Sequence, residues 1–393
     1  MKFAFVSTMH SGLWGGSEEL WSQAARQLRR QGHDVWASVV FWMLESDRVK
    51  EMAQEGIQFE GHPQNYDGRV RRFREQLLYG GRKAYRVLKN FDPDLVVISQ
   101  GDNSGGFDWA TVCREAKFPY VIIVQCNCEH WWFGNRLAEA IASYTAARRV
   151  FCVSQSNLDL LGSQLGERLT NGEVVWNPYN VSPERIPAWP EESSGWRLAS
   201  VARLEPAAKG QDLLLKTLAR PEWRDRPIEL NLFGAGPDEE ALLRMAGNLN
   251  LSNVHFRGHV SDIGAVWDQN HLLVLPSRYE GLPLALVEAM WCGRPAVVTE
   301  VGGNAELCID GETGFVAEAP TVPVFSNTLE RAWNRRSEWQ KLGKAARARA
   351  ESLIPKDPSV LRTIVRDANQ NLGVYATVAS AGEVAVGDSV EME

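Results

Sequence analysis

Short apolar runs that alternate with longer helical stretches constrain the fold of this 393-residue chain most strongly. The first run, residues 2–6, is followed by a glycine-rich segment at 12–17, by a helical stretch that ends at Gly32, and by a second apolar run at 35–41. Short, uninterrupted apolar runs of this kind are typical of parallel strands that are covered on both faces. The opening of the chain is therefore predicted to be a βαβ unit.

The alternation continues in two series. The first series has predicted strands at 94–99, 120–124, 150–154 and 173–176. The second has them at 196–201, 228–233, 254–256, 271–275 and 295–299. Each series predicts a doubly wound parallel sheet, so we expect an α/β fold with two Rossmann-like domains that face a central cleft.

Four X-Pro pairs between residues 177 and 190 separate the two series and mark a linker. The predicted division is an N-terminal acceptor-side domain at 1–180, a linker at 181–195, a C-terminal donor domain at 196–357, a helix at 358–372 that could pack back on the N-terminal domain, and a disordered acidic tail at 373–393.

Composition excludes several classes of protein. The net charge of −7 argues against a nucleic-acid partner. Six scattered cysteines are no disulfide framework in a chain of this length, so we expect reduced thiols in the cytoplasm, with the inner face of a membrane as an alternative site. Cys126, Cys128 and His130 are the only cluster that suggests a metal, and no second ligand pair lies near them at zinc-site spacing. We therefore expect no metal and no other cofactor.

Two glutamates, Glu280 and Glu288, stand at the start of a predicted helix with seven residues between them. Gly281 lets a ligand approach the backbone, and the start of a helix offers free N–H groups to a diphosphate. Carboxylates are good acceptors for sugar hydroxyls. One helix start could thus bind a nucleotide sugar, although an ordinary amphipathic helix with two solvated acids is the alternative.

Further loops at strand ends strengthen the first interpretation. Arg203 and Lys209 follow the first strand of the second series, where their charges could offset the negative charge that develops on a leaving diphosphate. The glycine-containing segments 233–237 and 301–306 also follow strands and could admit a nucleotide or cradle a phosphate. A solvated loop and a simple tight turn remain the alternatives for these segments.

Taken together and in this order, these motifs resemble the retaining glycosyltransferases of family 4, which have the GT-B fold of two Rossmann-like domains. The resemblance covers nearly the whole chain, from the loop at 15–18 to residues 314–315. It implies that Glu280 contacts the donor sugar, that Glu288 contacts the nucleotide ribose, and that Arg203 and Lys209 bind the diphosphate. The donor-binding set that it implies is Gly15, Gly16, Gly234, Gly236, Gly281, Leu282, Leu284, Glu288, Gly302 and Gly303.

The acceptor side departs from the family pattern. Many members have a histidine at the end of the strand that corresponds to 120–124, and Gln125 stands there in this chain. An amide can donate and accept hydrogen bonds, but it does not carry a proton as imidazole does. Gln125, Asn127 and His130 are the acceptor-side candidates, with a structural or surface role as the alternative for His130.

Residues 69–89 contain eight basic residues and one acid, with an apolar side. Such a segment could touch an anionic membrane that carries a lipid-linked acceptor, or it could be a solvated helix face. The sequence thus predicts a metal-independent, retaining transfer of a sugar from a nucleotide sugar to a glycan, a lipid-linked acceptor or a small molecule. A GT-B epimerase and a non-catalytic, two-lobed sugar-binding protein are the alternatives, and the donor base, the sugar, the acceptor and the oligomeric state stay open.

Overall fold

The computed structural model describes residues 1–353, with the exception of residues 10, 11, 13, 64–81, 183 and 192–194. The predicted helix at 358–372, the predicted tail at 373–393 and most of the basic segment at 69–89 therefore lie outside the described residues. The described chain forms two parallel sheets, one on each side of the predicted linker.

The first sheet has the strand order β3-β2-β1-β4-β5-β6-β7, and all its strands are parallel. Its strands are β1 (Lys2–Ser7), β2 (Asp34–Val40), β3 (Gln58–His62), β4 (Leu95–Gln100), β5 (Tyr120–Val124), β6 (Val150–Cys152) and β7 (Gly172–Val174). Its helices are α1 (Gly16–Arg30), α2 (Asp47–Gln54), α3 (Arg82–Phe91), α4 (Phe107–Ala116), α5 (Leu137–Ala146) and α6 (Gln155–Leu165), with short 3-10 helices at Phe41–Glu45 and Gly134–Arg136.

The second sheet has the order β10-β9-β8-β11-β12-β13 and is also entirely parallel. Its strands are β8 (Trp196–Val201), β9 (Ile228–Phe233), β10 (Val254–Gly258), β11 (Leu272–Leu275), β12 (Ala296–Thr299) and β13 (Gly314–Ala317). Its helices are α7 (Pro206–Lys209), α8 (Gln211–Leu218), α9 (Pro221–Arg224), α10 (Glu239–Asn248), α11 (Ile263–Gln269), α12 (Leu284–Trp291), α13 (Asn304–Leu307), α14 (Val322–Asn334) and α15 (Trp339–Leu353), with a 3-10 turn at Arg336–Glu338.

The expected fold class is confirmed: the molecule has two doubly wound α/β domains. The two domains also share apolar core, because Trp21 of α1, Val181 of the linker and Leu286 of α12 belong to one buried cluster. The starts of α1 and α12 therefore meet between the sheets. Ligands in such folds bind at the carboxyl ends of the strands, and the loops at these ends carry the predicted site residues.

The structure adds local detail to the predicted elements. The strands β3 and β13 were not predicted, because β3 carries polar residues and β13 is only four residues long. The helical region after β13 is divided into α14 and α15 by a turn around Arg336. Gly15 occupies the cap position of α1, and the Ser17 hydroxyl donates to the sulfur of Met9. None of the described helices combines the length and the apolar character that crossing a membrane requires.

Candidate active site

The centre of the site is an ion pair between Lys209 and Glu280. Lys209 Nζ lies 2.8 Å from Glu280 Oε1 and 2.7 Å from Oε2, and Ser277 Oγ donates to Oε1 at 2.8 Å. Glu280 is only 5% exposed, so the carboxylate depends on these partners for the hydrogen bonds that water would otherwise supply. The pair joins the end of α7 to the loop between β11 and α12, residues 276–283, which we call the donor-side loop.

The packing of α7 on the donor-side loop is fixed by Arg278. Its guanidinium forms a two-pronged ion pair with Asp212 at 2.7 and 3.0 Å and donates to the carbonyl of Pro206 at 2.6 Å. The Arg278 amide also donates to the carbonyl of Ala208. A planar guanidinium bound at several points holds α7 in one orientation, which keeps Lys209 directed at Glu280.

Arg203 lies in the turn between β8 and α7, where its guanidinium pairs with Glu205. Its carbonyl accepts a hydrogen bond from the side chain of Gln211 at 2.8 Å. Gly234 and Gly236, at the end of β9, pack on this turn: a Cβ at Gly234 would lie 2.1 Å from the Ala202 carbonyl oxygen, and a Cβ at Gly236 would lie 2.3 Å from that of Leu204. These predicted donor-binding glycines therefore support the turn that carries Arg203.

Glu288 lies on the buried side of α12 and accepts a hydrogen bond from the backbone amide of Asn180 at 3.3 Å. Burial raises its pKa to about 7, and the hydrogen bonds from Asn180 only partly oppose this effect. Through Asn180, Glu288 contacts the chain just before the predicted linker.

The start of α1 approaches α12 from the other domain. A Cβ at Gly16 would lie 2.9 Å from Leu284 Cδ1, and Gly15 provides the extended residue before the helix. Beside them Glu18 is buried and accepts a hydrogen bond from Trp21 Nε1 at 2.8 Å. Burial raises the pKa of Glu18 to about 7. The predicted glycine loop and the predicted glutamate helix are thus brought together.

Two glycine segments allow the domains to touch at the donor-side loop. A Cβ at Gly281 would lie 1.9 Å from the carbonyl oxygen of Gln125, so no other residue fits there without a backbone shift. Gly302 has a φ of +51°, and a Cβ on it would lie 2.2 Å from the Glu280 carbonyl oxygen. Gly303 donates its amide to the Gly281 carbonyl at 2.7 Å and packs on Leu282.

The acceptor-side candidates lie on the segment that follows β5, residues 125–133, which we call the acceptor-side loop. Gln125 is 4% exposed, and among the residues that the structure describes neither atom of its side-chain amide has a hydrogen-bond partner. Asn127 is also buried, and its side-chain oxygen accepts from the Cys128 amide at 2.8 Å. His130 is exposed. The structure therefore brings Gln125 to the donor-side loop and leaves His130 at the surface.

No group of three or more His, Cys, Asp or Glu side chains among the described residues is arranged to hold a metal ion. Cys126 is half-buried and Cys128 is buried, and both are free thiols. Burial, with a smaller contribution from the nearby Glu280, raises the pKa of Cys126 well above its usual range. The Cys126 thiol is therefore protonated near neutral pH.

Several residues that contact the site were not singled out from the sequence. Asn157 contacts both loops, Glu306 binds the start of α6, and Tyr279 packs its ring on Trp131 with the ring centroids 4.8 Å apart. Ser277 and Tyr279 stand beside Glu280 in the sequence, so their position could have suggested them. The contacts of Asn157 and Glu306 cross from one domain to the other and leave no local pattern.

Two protein-family models match the chain. The model described as glycosyltransferase family 4 matches residues 14–183, and the model described as glycosyl transferases group 1 matches residues 182–349. Together they span both domains and the linker between them.

Relatives and solved structures agree with these models. An uncharacterized glycosyltransferase of Haemophilus influenzae is 25% identical over 361 residues, which cover 87% of this chain and 94% of the relative. The D-rhamnosyltransferase WbpZ of Pseudomonas aeruginosa is 30% identical over 44% of this chain and 45% of its own length. The structure of HepE from Anabaena with UDP and glucose has a TM-score of 0.72 at 18% identity and covers 94% of this chain and 99% of its own. The galactosyltransferase WaaB has a TM-score of 0.67 at 20% identity, with 94% and 99% covered.

Proposed function

The chain belongs to the GT-B glycosyltransferases that resemble family 4, and on that premise we propose that it transfers a sugar from a nucleoside diphosphate sugar to an acceptor with retention of configuration and without a metal. The transferase activity is the premise. The donor class, the stereochemistry and the independence from metal are the proposal.

The pair of Lys209 and Glu280 is the observation that carries this proposal. An ammonium group has three N–H donors, so Lys209 can hold Glu280 and still direct a donor at a phosphate oxygen. The pair is mostly shielded from water, which strengthens the attraction between Lys209 and a leaving diphosphate. Arg203 lies on the same turn and supplies a second cation. The carboxylate of Glu280 then meets a hydroxyl of the donor sugar.

The same arrangement supports the proposal of retention. Lys209 and Ser277 already bond to the oxygens of Glu280. This carboxylate is therefore better suited to accept hydrogen bonds than to attack the sugar as a nucleophile. We propose that the acceptor hydroxyl attacks the face that the diphosphate leaves, and that a phosphate oxygen takes up its proton. The new glycosidic bond forms as the sugar–phosphate bond breaks, so no covalent sugar–protein bond is needed.

The donor and the acceptor are proposed only by class. HepE was solved with UDP and with UDP-glucose, which makes a uridine diphosphate sugar the first donor to test. The acceptor is a glycan, a lipid-linked saccharide or a small molecule that offers a hydroxyl to the acceptor-side loop. We place the reaction in the cytoplasm. Exposed Arg86 on α3 belongs to the basic segment 69–89, whose proposed contact with an anionic membrane can be tested by flotation with anionic and neutral vesicles.

The test is incubation of the protein with a panel of nucleotide sugars, with chelator present and without acceptor, while free nucleoside diphosphate is measured. We expect slow release from at least one donor, because water replaces the missing acceptor. Proton NMR of the freed sugar at early times then reports its anomeric configuration, and we expect that of the donor. Isomerised donor would indicate an epimerase, and binding without any release would indicate a sugar-binding protein. Loss of release in chelator would contradict metal independence.

A further inference from the structure

We propose that Asn157 is a positioning residue that holds the donor-side loop in register with the acceptor-side loop, so that Glu280 and the acceptor hydroxyl meet the same sugar. This inference rests on the proposed function of the site. Asn157 does not touch the reacting atoms in this proposal. It acts through the backbone of Glu280.

The contacts of Asn157 run to both loops. It lies in the first turn of α6 and is 1% exposed. Its Oδ1 accepts a hydrogen bond from the Asn127 amide at 2.9 Å, and its Nδ2 donates to the Glu280 carbonyl oxygen at 3.3 Å and to Ser154 Oγ at 2.6 Å. One side-chain amide therefore spans the two halves of the site.

The chemistry of these partners leaves little freedom of substitution. The Asn127 N–H needs an acceptor and the Glu280 carbonyl needs a donor, so the bridging group must offer both at a short distance from the same Cα. An amide of the length of Asn does this. An aspartate has the same shape, but it keeps only the acceptor half while it is ionised.

A second set of contacts between the two domains lies at the same first turn of α6. The Glu306 carboxylate, from the donor domain, accepts from the amides of Gln155 and Ser156 at 3.1 and 2.7 Å. A Cβ at Gly303 would lie 3.0 Å from Ser154 Cβ, so the backbones are in close contact there. The start of α6 is thus held by the donor domain from two sides, and Asn157 is its buried link to the backbone of Glu280.

This arrangement should matter for transfer more than for donor binding. The diphosphate and the ribose of the donor are expected to bind to Lys209, Arg203 and Glu288, which Asn157 does not contact in the described structure, and its bond to Glu280 is to the backbone carbonyl and not to the carboxylate. The approach of the acceptor depends on the relative position of the two loops, and an error of about 1 Å in such a position can cost about a hundredfold in rate. Removal of the bridge should therefore lower transfer while the KM for the donor is kept.

Gln164 offers a matched control. It is also a buried amide on α6, and it bonds to the Asn103 side chain and to the Cys128 carbonyl at 2.9 and 2.8 Å, but none of its described hydrogen bonds reaches the donor domain. We would compare Asn157→Ala and Asn157→Asp with Gln164→Ala. Both Asn157 variants should lose transfer by about tenfold or more, keep the donor KM within about twofold, and raise the ratio of donor hydrolysis to transfer. Gln164→Ala loses a bond to the acceptor-side loop but keeps the bond between Asn157 and Glu280, so it is the control for the hydrogen exchange of the donor-side loop.

Hydrogen exchange supplies a readout that needs no substrate. The amides of residues 277–284 should exchange faster in Asn157→Asp than in the wild type or in Gln164→Ala, because the donor-side loop has lost its anchor. Equal exchange and an equal hydrolysis ratio in all variants would overturn the inference. So would loss of the folded state in both Asn157 variants while Gln164→Ala folds, since that would show a structural role. A wild-type protein inactive on every donor would refute the proposed function alone, and the exchange result would still decide whether Asn157 anchors the loop.

Discussion

The donor-side and acceptor-side loops differ in how their buried polar side chains are satisfied. On the donor side, Glu280 is bonded to Lys209 and Ser277, and Arg278 is bonded to Asp212. On the acceptor side, the amide of Gln125 has no partner among the described residues, although it is equally buried. A buried polar group without a partner costs stability, and ordered water or a ligand can supply the missing partner. On the proposed function, we expect the acceptor to bond to the Gln125 amide.

The largest effect is expected from the donor side. Glu280→Ala should lower turnover by about a thousandfold or more, since it removes the contact to the donor sugar and frees Lys209 from its partner. The measurement is the release of nucleoside diphosphate, with circular dichroism to show that the fold is kept. Glu240→Ala is the control, because Glu240 pairs with Arg244 on the exposed surface of α10, outside both loops. Near-wild-type turnover of Glu280→Ala would show that turnover does not depend on the Glu280 carboxylate, and would contradict the role given to the donor-side loop.

Loss of the cation should affect activity and stability together. Lys209→Met leaves the Glu280 carboxylate buried without its charge partner, and breaking such a pair costs about 3 kcal/mol of unfolding free energy. Urea denaturation should show this loss, and turnover should fall by about a hundredfold. The double variant Lys209→Met/Glu280→Gln should recover stability without activity. A single variant as stable as the wild type would show that the pair is not shielded as described.

The acceptor side should respond in the opposite way. Gln125→Leu removes a buried amide that has no described partner, so stability should be unchanged or slightly higher. Transfer to the acceptor should nevertheless fall by about tenfold, because the acceptor loses a hydrogen-bond partner, while hydrolysis of the donor is kept. Exposed His130→Ala serves as the control and should stay within about twofold of the wild type. A marked loss of stability in Gln125→Leu would mean that this amide is structurally satisfied.

The last expected effect is on stability alone, through its dependence on pH. The pKa of Glu18 is raised by burial from 4.5 to about 7 in the folded protein. Between these values the folded state holds a proton that the unfolded state has lost, so the free energy of unfolding falls as pH rises, by about 1.4 kcal/mol per pH unit. Glu18→Gln should remove this contribution, as measured by urea denaturation at pH 5, 6 and 7. An unchanged slope would contradict the buried state of this carboxylate.

The sequence predicts the central strands best. The strands at 120–124, 196–201 and 228–233 have the predicted bounds, because polar, small or proline residues mark their ends. The edge strand β3 was missed, since a strand covered on fewer sides needs no apolar run.

The contacts within the site also divide into those that the sequence predicts and those that it does not. Lys209 and Glu280 could be predicted to meet, because both lie at the ends of neighbouring strands of one sheet and match the family pattern. The bonds from Asn157 to the two loops could not be predicted, since they depend on how the two domains pack. As a helix cap, Ser154 could have indicated where α6 starts. It could not have indicated which residues of the other domain contact the start of α6.

The most direct test of the central claim is a structure of the protein with a bound nucleotide sugar. We predict that a diphosphate oxygen lies within about 3 Å of Lys209 Nζ and that a sugar hydroxyl lies at the same distance from Glu280, with the sugar beside the Gln125 amide. A donor bound elsewhere, with Lys209 and Glu280 in contact only with each other, would contradict the account.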